Sequence, residues 1–197
     1  MDDENVVMGD EIDKPRKRRG LSWLLLIPLI FLALVAMFLW GMGRENPKEL
    51  PSTLVGRSAP TIELTPLGDT PLLEDKMLRE GGVKLVNFWA SWCAPCRAEH
   101  KHLMALSASG IPVYGVNYKD EPAKALGFLA ELGNPYARLG ADRSGRQAID
   151  WGVYGVPETF VLDATGKVLL RFPGPLTREV IASKIMPAIE KAQAAAN

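Results

Sequence analysis

At 197 residues, with 47% hydrophobic and 23% charged side chains, the chain has room for one medium folded domain and an appendage. Its 23 basic and 23 acidic side chains cancel, which argues against a nucleic-acid partner. The two cysteines are too few to form the disulfide framework of a stapled small fold.

Residues 1–20 are polar and charged and read as a disordered tail. Lys14, Arg16, Lys17, Arg18 and Arg19 stand just ahead of an apolar run from 21 to 42 that contains no charged residue. A helix of about 20 such residues spans the hydrocarbon of a bilayer. Pro28 is tolerated in such a helix, and Trp23 and Trp40 fall near its ends, where indoles favour the interface. The alternative is a cleaved signal peptide, which has an apolar core of about 7–15 residues and a small-residue cleavage site. No Ala-x-Ala site closes this run. The basic flank predicts that residues 1–20 stay cytoplasmic and that the rest of the chain lies across the membrane. Residues 43–56, with Asn46-Pro47 and Pro51-Ser52, read as a linker.

The folded domain is expected over 57–191. Residues 61–64 alternate as a short edge strand, and 72–79 read as a short helical or irregular segment. An almost unbroken apolar run over 83–89 suits a central strand covered on both faces. A helix over 93–109 follows, with Ala98, Leu103 and Leu106 inward, Glu99 and Lys101 outward, and His100 and His102 on the surface. Residues 111–117 form the next strand, Pro122 opens a helix to Leu132, and 136–139 and 144–151 are a short strand and a helical turn or two. A hairpin pairs 159–162 with 168–172, and Thr177 caps a last helix with Ile181, Ile185 and Ile189 at four-residue spacing. Residues 192–197 read as a frayed tail. Alternating strands and helices that end in a hairpin predict an α/β fold with a central sheet flanked by helices.

Both cysteines lie in Trp92-Cys93-Ala94-Pro95-Cys96, where the central strand turns into a helix. A bridge between residues so close closes almost no loop, so a structural staple is a poor use of the pair. A helix amino terminus favours a thiolate, which predicts an exposed, reactive Cys93 and a more buried, resolving Cys96. Pro95 suits the first turn and stiffens it. Haem attachment needs His after the second cysteine, where Arg97 stands. A zinc site would need more ligands than His100 and His102 supply from one helix, so no metal and no cofactor are expected. Trp89 and Trp92 read as aromatic packing around the turn, with Trp92 also placed to touch substrate. In 154–160, Pro157 stands at the entry to a strand. It is either an ordinary loop proline or a cis proline beside the sulfurs, with Val156 backbone groups free to pair with an extended substrate.

The segment from Phe88 to Cys96 resembles the active site of the thioredoxin superfamily. Residues 92–100, 115–120, 131–136 and 152–160 resemble more closely the CcmG/DsbE thiol:disulfide interchange proteins of cytochrome c maturation. The resemblance implies a thioredoxin-like fold on an N-terminal transmembrane anchor in a bacterial inner membrane, with the domain in the periplasm. It implies a reductant of apocytochrome c, or of its mixed disulfide with a CcmH-type partner, recharged by a DsbD- or CcdA-type membrane carrier. It also implies that Pro157 is the family's cis proline and Glu158 its adjacent acid, while Val156 replaces a frequent Ala. A general reductase of the ResA or TlpA type, and a docking module of the haem-attachment machinery, are the alternatives. Where thioredoxins carry an Asp that helps the buried cysteine lose its proton, this chain has Asn87. Glu158, together with Asp120, is then expected to supply the acid/base function, unless Glu158 is a solvated loop residue.

Overall fold

The computed structural model describes residues 21–42 and 53–196. The predicted tail 1–20, most of the linker and Asn197 lie outside the described residues. The chain divides into two units, 1–48 and 49–197, each taken here by itself.

In the first unit, helix α1 (Leu21–Met42) has 22 residues with Pro28 inside it. Its described side chains, 25–41, are exposed, and most are large and apolar. Among the described residues, no helix is long and apolar enough to cross a membrane.

The second unit is built on five strands: β1 (Lys84–Trp89), β2 (Val113–Tyr118), β3 (Arg138–Asp142), β4 (Glu158–Leu162) and β5 (Val168–Pro173). They lie in the order β3-β2-β1-β4-β5. The β1–β2 and β2–β3 pairs are parallel; β4 runs antiparallel to β1 and to β5. All six residues of β1 are buried, as expected for a strand at the centre of a sheet covered on both faces.

Side chains alternate across the sheet. Leu85 and Trp89 pack into one cluster with Leu103, Leu106, Phe128, Ile185 and Ile189. Val86 and Phe88 pack into the other with Val116, Trp151 and Phe160. The same alternation places Asn87 on the face of Leu85 and Trp89.

Helix α2 (Asp75–Leu78) precedes β1, and α3 (Ala94–Ala108), α4 (Pro122–Leu132) and α5 (Arg146–Asp150) lie between successive strands in sequence. The last helical stretch starts with α6 (Arg178–Val180), where the Thr177 side chain accepts from the Val180 N–H. It passes through a π-helical turn (Ile181–Ile185) into α7 (Met186–Ala196).

Four expectations need correction. Residues 61–64 are not a strand. Their Ile62 and Glu63 N–H groups bond instead to the side chains of Asp75 and Gln147, and sheet contact there is an isolated bridge between Thr65 and Ala141. The folded unit includes Leu54, which packs on the second cluster. At the other end, α7 continues to Ala196, and Ala192 packs on the first cluster.

The fourth correction concerns the inward face of α3. That face carries Cys96, Glu99, His100, Leu103 and Leu106, all buried, while Ala98 is exposed. Counting back from Leu103 by three, four and seven residues gives this stripe, which follows helical geometry over side-chain polarity. His100 sits inside because its Nε2 lies 2.9 Å from the Gly133 carbonyl and its ring meets Phe128 edge-on. A carbonyl can only accept, so Nε2 carries the proton.

Candidate active site

Strand β1 delivers the chain to a turn closed by the Cys93 N–H on the Ala90 carbonyl at 3.2 Å. Cys93 is the N-cap of α3, and its Sγ accepts from the Cys96 N–H at 3.1 Å. Pro95 stands in the first helical turn, where its missing N–H costs nothing. Cys93 and Cys96 form a disulfide with Cα atoms 5.3 Å apart.

Both sulfur residues are buried, Cys93 at 4% and Cys96 at 2% exposure, so the expected exposure of Cys93 is absent in the oxidised pair. Position separates their roles instead. Cys93 occupies the cap, where free N–H groups and the helix dipole favour a thiolate; Cys96 lies a turn deeper. The neighbours Trp92, Ala94 and Pro95 are exposed.

The loop ahead of β4 forms the facing wall. The Val156–Pro157 peptide is cis, and the Val156 carbonyl oxygen lies 3.5 Å from Cys93 Sγ. Trp92 is 59% exposed on one side of the sulfurs, and Tyr154 in this loop is 58% exposed.

Glu158 is not a solvated loop residue. It is 1% exposed at the start of β4, where Oε2 accepts from Arg171 Nε at 2.8 Å and Oε1 from the Tyr154 N–H at 3.1 Å. Arg171 also donates to the Gly152 carbonyl at 2.6 Å and lies 4.9 Å from the centre of the Tyr154 ring. The pair ties the cis-proline loop to β5. Asp120 likewise faces the active-site turn, with both oxygens taken by Ser91, Asn117 and Glu121.

A second buried acid, Glu99, stands on α3 at a position expected to face outward. It lies three residues beyond Cys96 on α3, so the two side chains share a face. Glu99 Oε1 accepts from Asn87 Nδ2 at 2.9 Å, and Oε2 from the Leu176 N–H at 2.7 Å. Asn87 Nδ2 also reaches Thr159 Oγ1 at 3.1 Å, and its Oδ1 accepts from the Tyr136 hydroxyl at 2.9 Å. Burial pushes the Glu99 carboxyl up to about 7, against the lowering pull of the Leu176 and Asn87 donors. Burial, and then the charge of Glu99, push the Tyr136 hydroxyl well above its ordinary value. A carboxyl poised near neutrality beside the resolving cysteine suits proton exchange with its thiol. Spacing from Cys96 is the sequence signal that finds Glu99.

Among the described residues, no group of three or more His, Cys, Asp or Glu side chains is placed to hold a metal ion. A cysteine pair capping a helix, opposite a cis-proline loop on a mixed five-stranded sheet, defines a thioredoxin-like thiol–disulfide oxidoreductase. The redoxin family model matches residues 54–186. The chain is 51% identical over 166 residues to the thiol:disulfide interchange protein HelX of Rhodobacter capsulatus, covering 81% of this chain and 94% of that one. It is 50% identical over 175 residues to the DsbE homologue of Paracoccus denitrificans, covering 88% and 97%. The crystal structure of a putative DsbE from Chlorobium tepidum superposes with a TM-score of 0.57 at 30% identity, over 72% of this chain and 99% of that one. The protein belongs to the CcmG/DsbE family of thiol:disulfide interchange proteins within the thioredoxin superfamily.

Proposed function

We propose that this protein is a membrane-anchored periplasmic reductant of cytochrome c maturation. Its substrate is the disulfide of apocytochrome c, or the mixed disulfide of apocytochrome c with a CcmH-type partner. The observation that carries the reading is the Cys93–Cys96 pair, with Cys93 Sγ at the cap of α3 and 3.5 Å from the Val156 carbonyl. Exposed Trp92 and Tyr154 support docking of a peptide beside it.

In the reduced enzyme the Cys93 thiolate attacks one sulfur of the substrate disulfide. A mixed disulfide forms and the other substrate sulfur leaves as a thiolate. Cys96 then gives its proton to Glu99 and attacks Cys93 Sγ, and the second substrate sulfur leaves. Two electrons have passed to the substrate, and the enzyme holds its disulfide. A DsbD- or CcdA-type membrane carrier restores the dithiol.

The anchoring rests on the uncharged run 21–42 behind Lys14, Arg16, Lys17, Arg18 and Arg19, and on the exposed apolar side chains of α1. It places the domain outside the cytoplasm of a bacterial cell. Resistance of the full chain to alkaline extraction from membranes checks it.

The deciding experiment is full-length Cys96→Ser in cells that make cytochromes c. The variant leaves the first mixed disulfide unresolved, so the partner stays attached. Apocytochrome c or a CcmH-type protein recovered on Cys93 is expected. Capture of unrelated periplasmic proteins alone would replace this reading with that of a general reductase.

A further inference from the structure

The segment between β2 and α4 reaches back to the turn that presents Cys93, and it does so with two consecutive residues. Asp120 accepts four hydrogen bonds. Its Oδ2 takes the Ser91 N–H at 2.6 Å and Asn117 Nδ2 at 2.9 Å; its Oδ1 takes the Ser91 hydroxyl at 2.8 Å and the Glu121 N–H at 2.9 Å. One residue earlier, the Lys119 carbonyl accepts from the Trp92 indole N–H at 3.2 Å. Ser91 and Trp92 are the two residues inside the turn from Ala90 to Cys93.

The grip is built into the sheet. Asn117 pairs in register with Trp89 at the carboxyl ends of β1 and β2, so the clasp starts where both strands end. Lys119 has φ of 43°, the one positive φ outside glycine among the described residues. A side chain in that region costs energy, and the surrounding structure must hold it there. Its N–H is bonded to the Asp142 carbonyl at 3.0 Å, which anchors the reversal to β3.

We propose that Asp120 is a positioning residue for thiol–disulfide exchange. With the Lys119 carbonyl it clasps the 90–93 turn and keeps Cys93 Sγ at the amino terminus of α3 once the disulfide has opened. In the oxidised protein the covalent link to Cys96 already restrains Cys93. In the dithiol that link is gone, and the clasp, with the Trp92 ring against Tyr118 of β2, ties the turn to the neighbouring strand. Its contribution therefore falls on the reduced form. An amide cannot replace the carboxylate, because it offers one acceptor oxygen and turns an NH2 toward donors. The proposal rests on Cys93 as the attacking sulfur. Loss of all exchange with glutathione in Cys93→Ser tests that separately.

The test equilibrates full-length wild type and Asp120→Asn with glutathione, so that dithiol plus glutathione disulfide gives protein disulfide plus two glutathiones. Weaker holding of the dithiol should move the equilibrium about tenfold toward the protein disulfide, a potential about 30 mV more reducing. The Cys93 thiolate, followed by its ultraviolet absorbance, should also form at higher pH. A purely electrostatic role predicts the opposite sign, because removing a negative charge favours the thiolate. A merely structural role would weaken both forms equally and leave the potential unmoved. Either of those outcomes overturns the proposal. Trp92→Phe removes the Lys119 half of the clasp and keeps the Asp120 charge. It should shift the potential in the same reducing direction by a smaller factor, and it decides the matter if Asp120→Asn does not fold.

Discussion

Asn87 and Glu99 meet in the buried interior, Nδ2 to Oε1 at 2.9 Å, with both side chains essentially without solvent contact. The amide on β1 keeps the acid on α3 in place without itself titrating. The titratable member of the pair stands on the helix, one turn beyond Cys96. Glu99→Gln should therefore slow resolution of the mixed disulfide about a hundredfold, the usual scale for one general base. Stopped-flow measurement from below to above neutrality should also show the rate losing its inflection near pH 7. An unchanged rate and profile would remove Glu99 from the mechanism.

The same carboxyl makes stability depend on pH. Its folded value of about 7 lies above its ordinary 4.5, so between those values the native state binds more protons than the unfolded chain. Stability must then fall as pH rises through this window, by about 3 kcal/mol at most. His100 acts oppositely, since burial lowers its pKa and the native state resists protonation. The difference between oxidised wild type and oxidised Glu99→Gln isolates the acid. Urea denaturation should show the variant gaining on wild type from pH 4.5 to 7, and a constant difference would contradict the assignment.

Arg171 and Glu158 form an ion pair at 2.8 Å with side-chain exposures of 8% and 1%. Arg171→Met leaves the Glu158 charge buried without its partner, at a cost of about 3–5 kcal/mol. Replacing both, as Arg171→Met with Glu158→Gln, should recover much of that loss. A loss in the double variant equal to the sum of the losses in Arg171→Met and Glu158→Gln alone would mean that the pair is not coupled.

Gly115 on β2 stands opposite Asn87 in register, and a Cβ there would come within 2.8 Å of the Tyr136 ring and 2.7 Å of Leu139. The missing side chain is the space through which the Tyr136 hydroxyl reaches Asn87 Oδ1. Gly115→Ala should destabilise the fold by about 1–3 kcal/mol through overpacking. Adding Tyr136→Leu should restore part of that loss. Wild-type stability in Gly115→Ala would show that the ring is free to move aside.

Much of the fold was legible because local rules agreed with the final structure. The apolar run of β1, Pro122 at the start of α4 and Thr177 as a cap behaved as their chemistry dictates. The edge strand at 61–64 was misread because alternation says nothing about which partner satisfies the backbone. Side chains of Asp75 and Gln147, 13 and 84 residues away, took the place of a neighbouring strand.

At the site, residue order alone determined the redox chemistry: two cysteines spaced by one helical turn, with a proline between them at the start of a helix. Tertiary structure decided how each nearby acid is held. Glu99, Glu158 and Asp120 are all carboxylates near the motif or its facing wall, and sequence treats them alike. Folding desolvated Glu99 beside an amide, set Glu158 against a guanidinium, and surrounded Asp120 with four donors. Burial and partner charge separate their roles, and both are properties of residues far apart in the chain that only packing brings together.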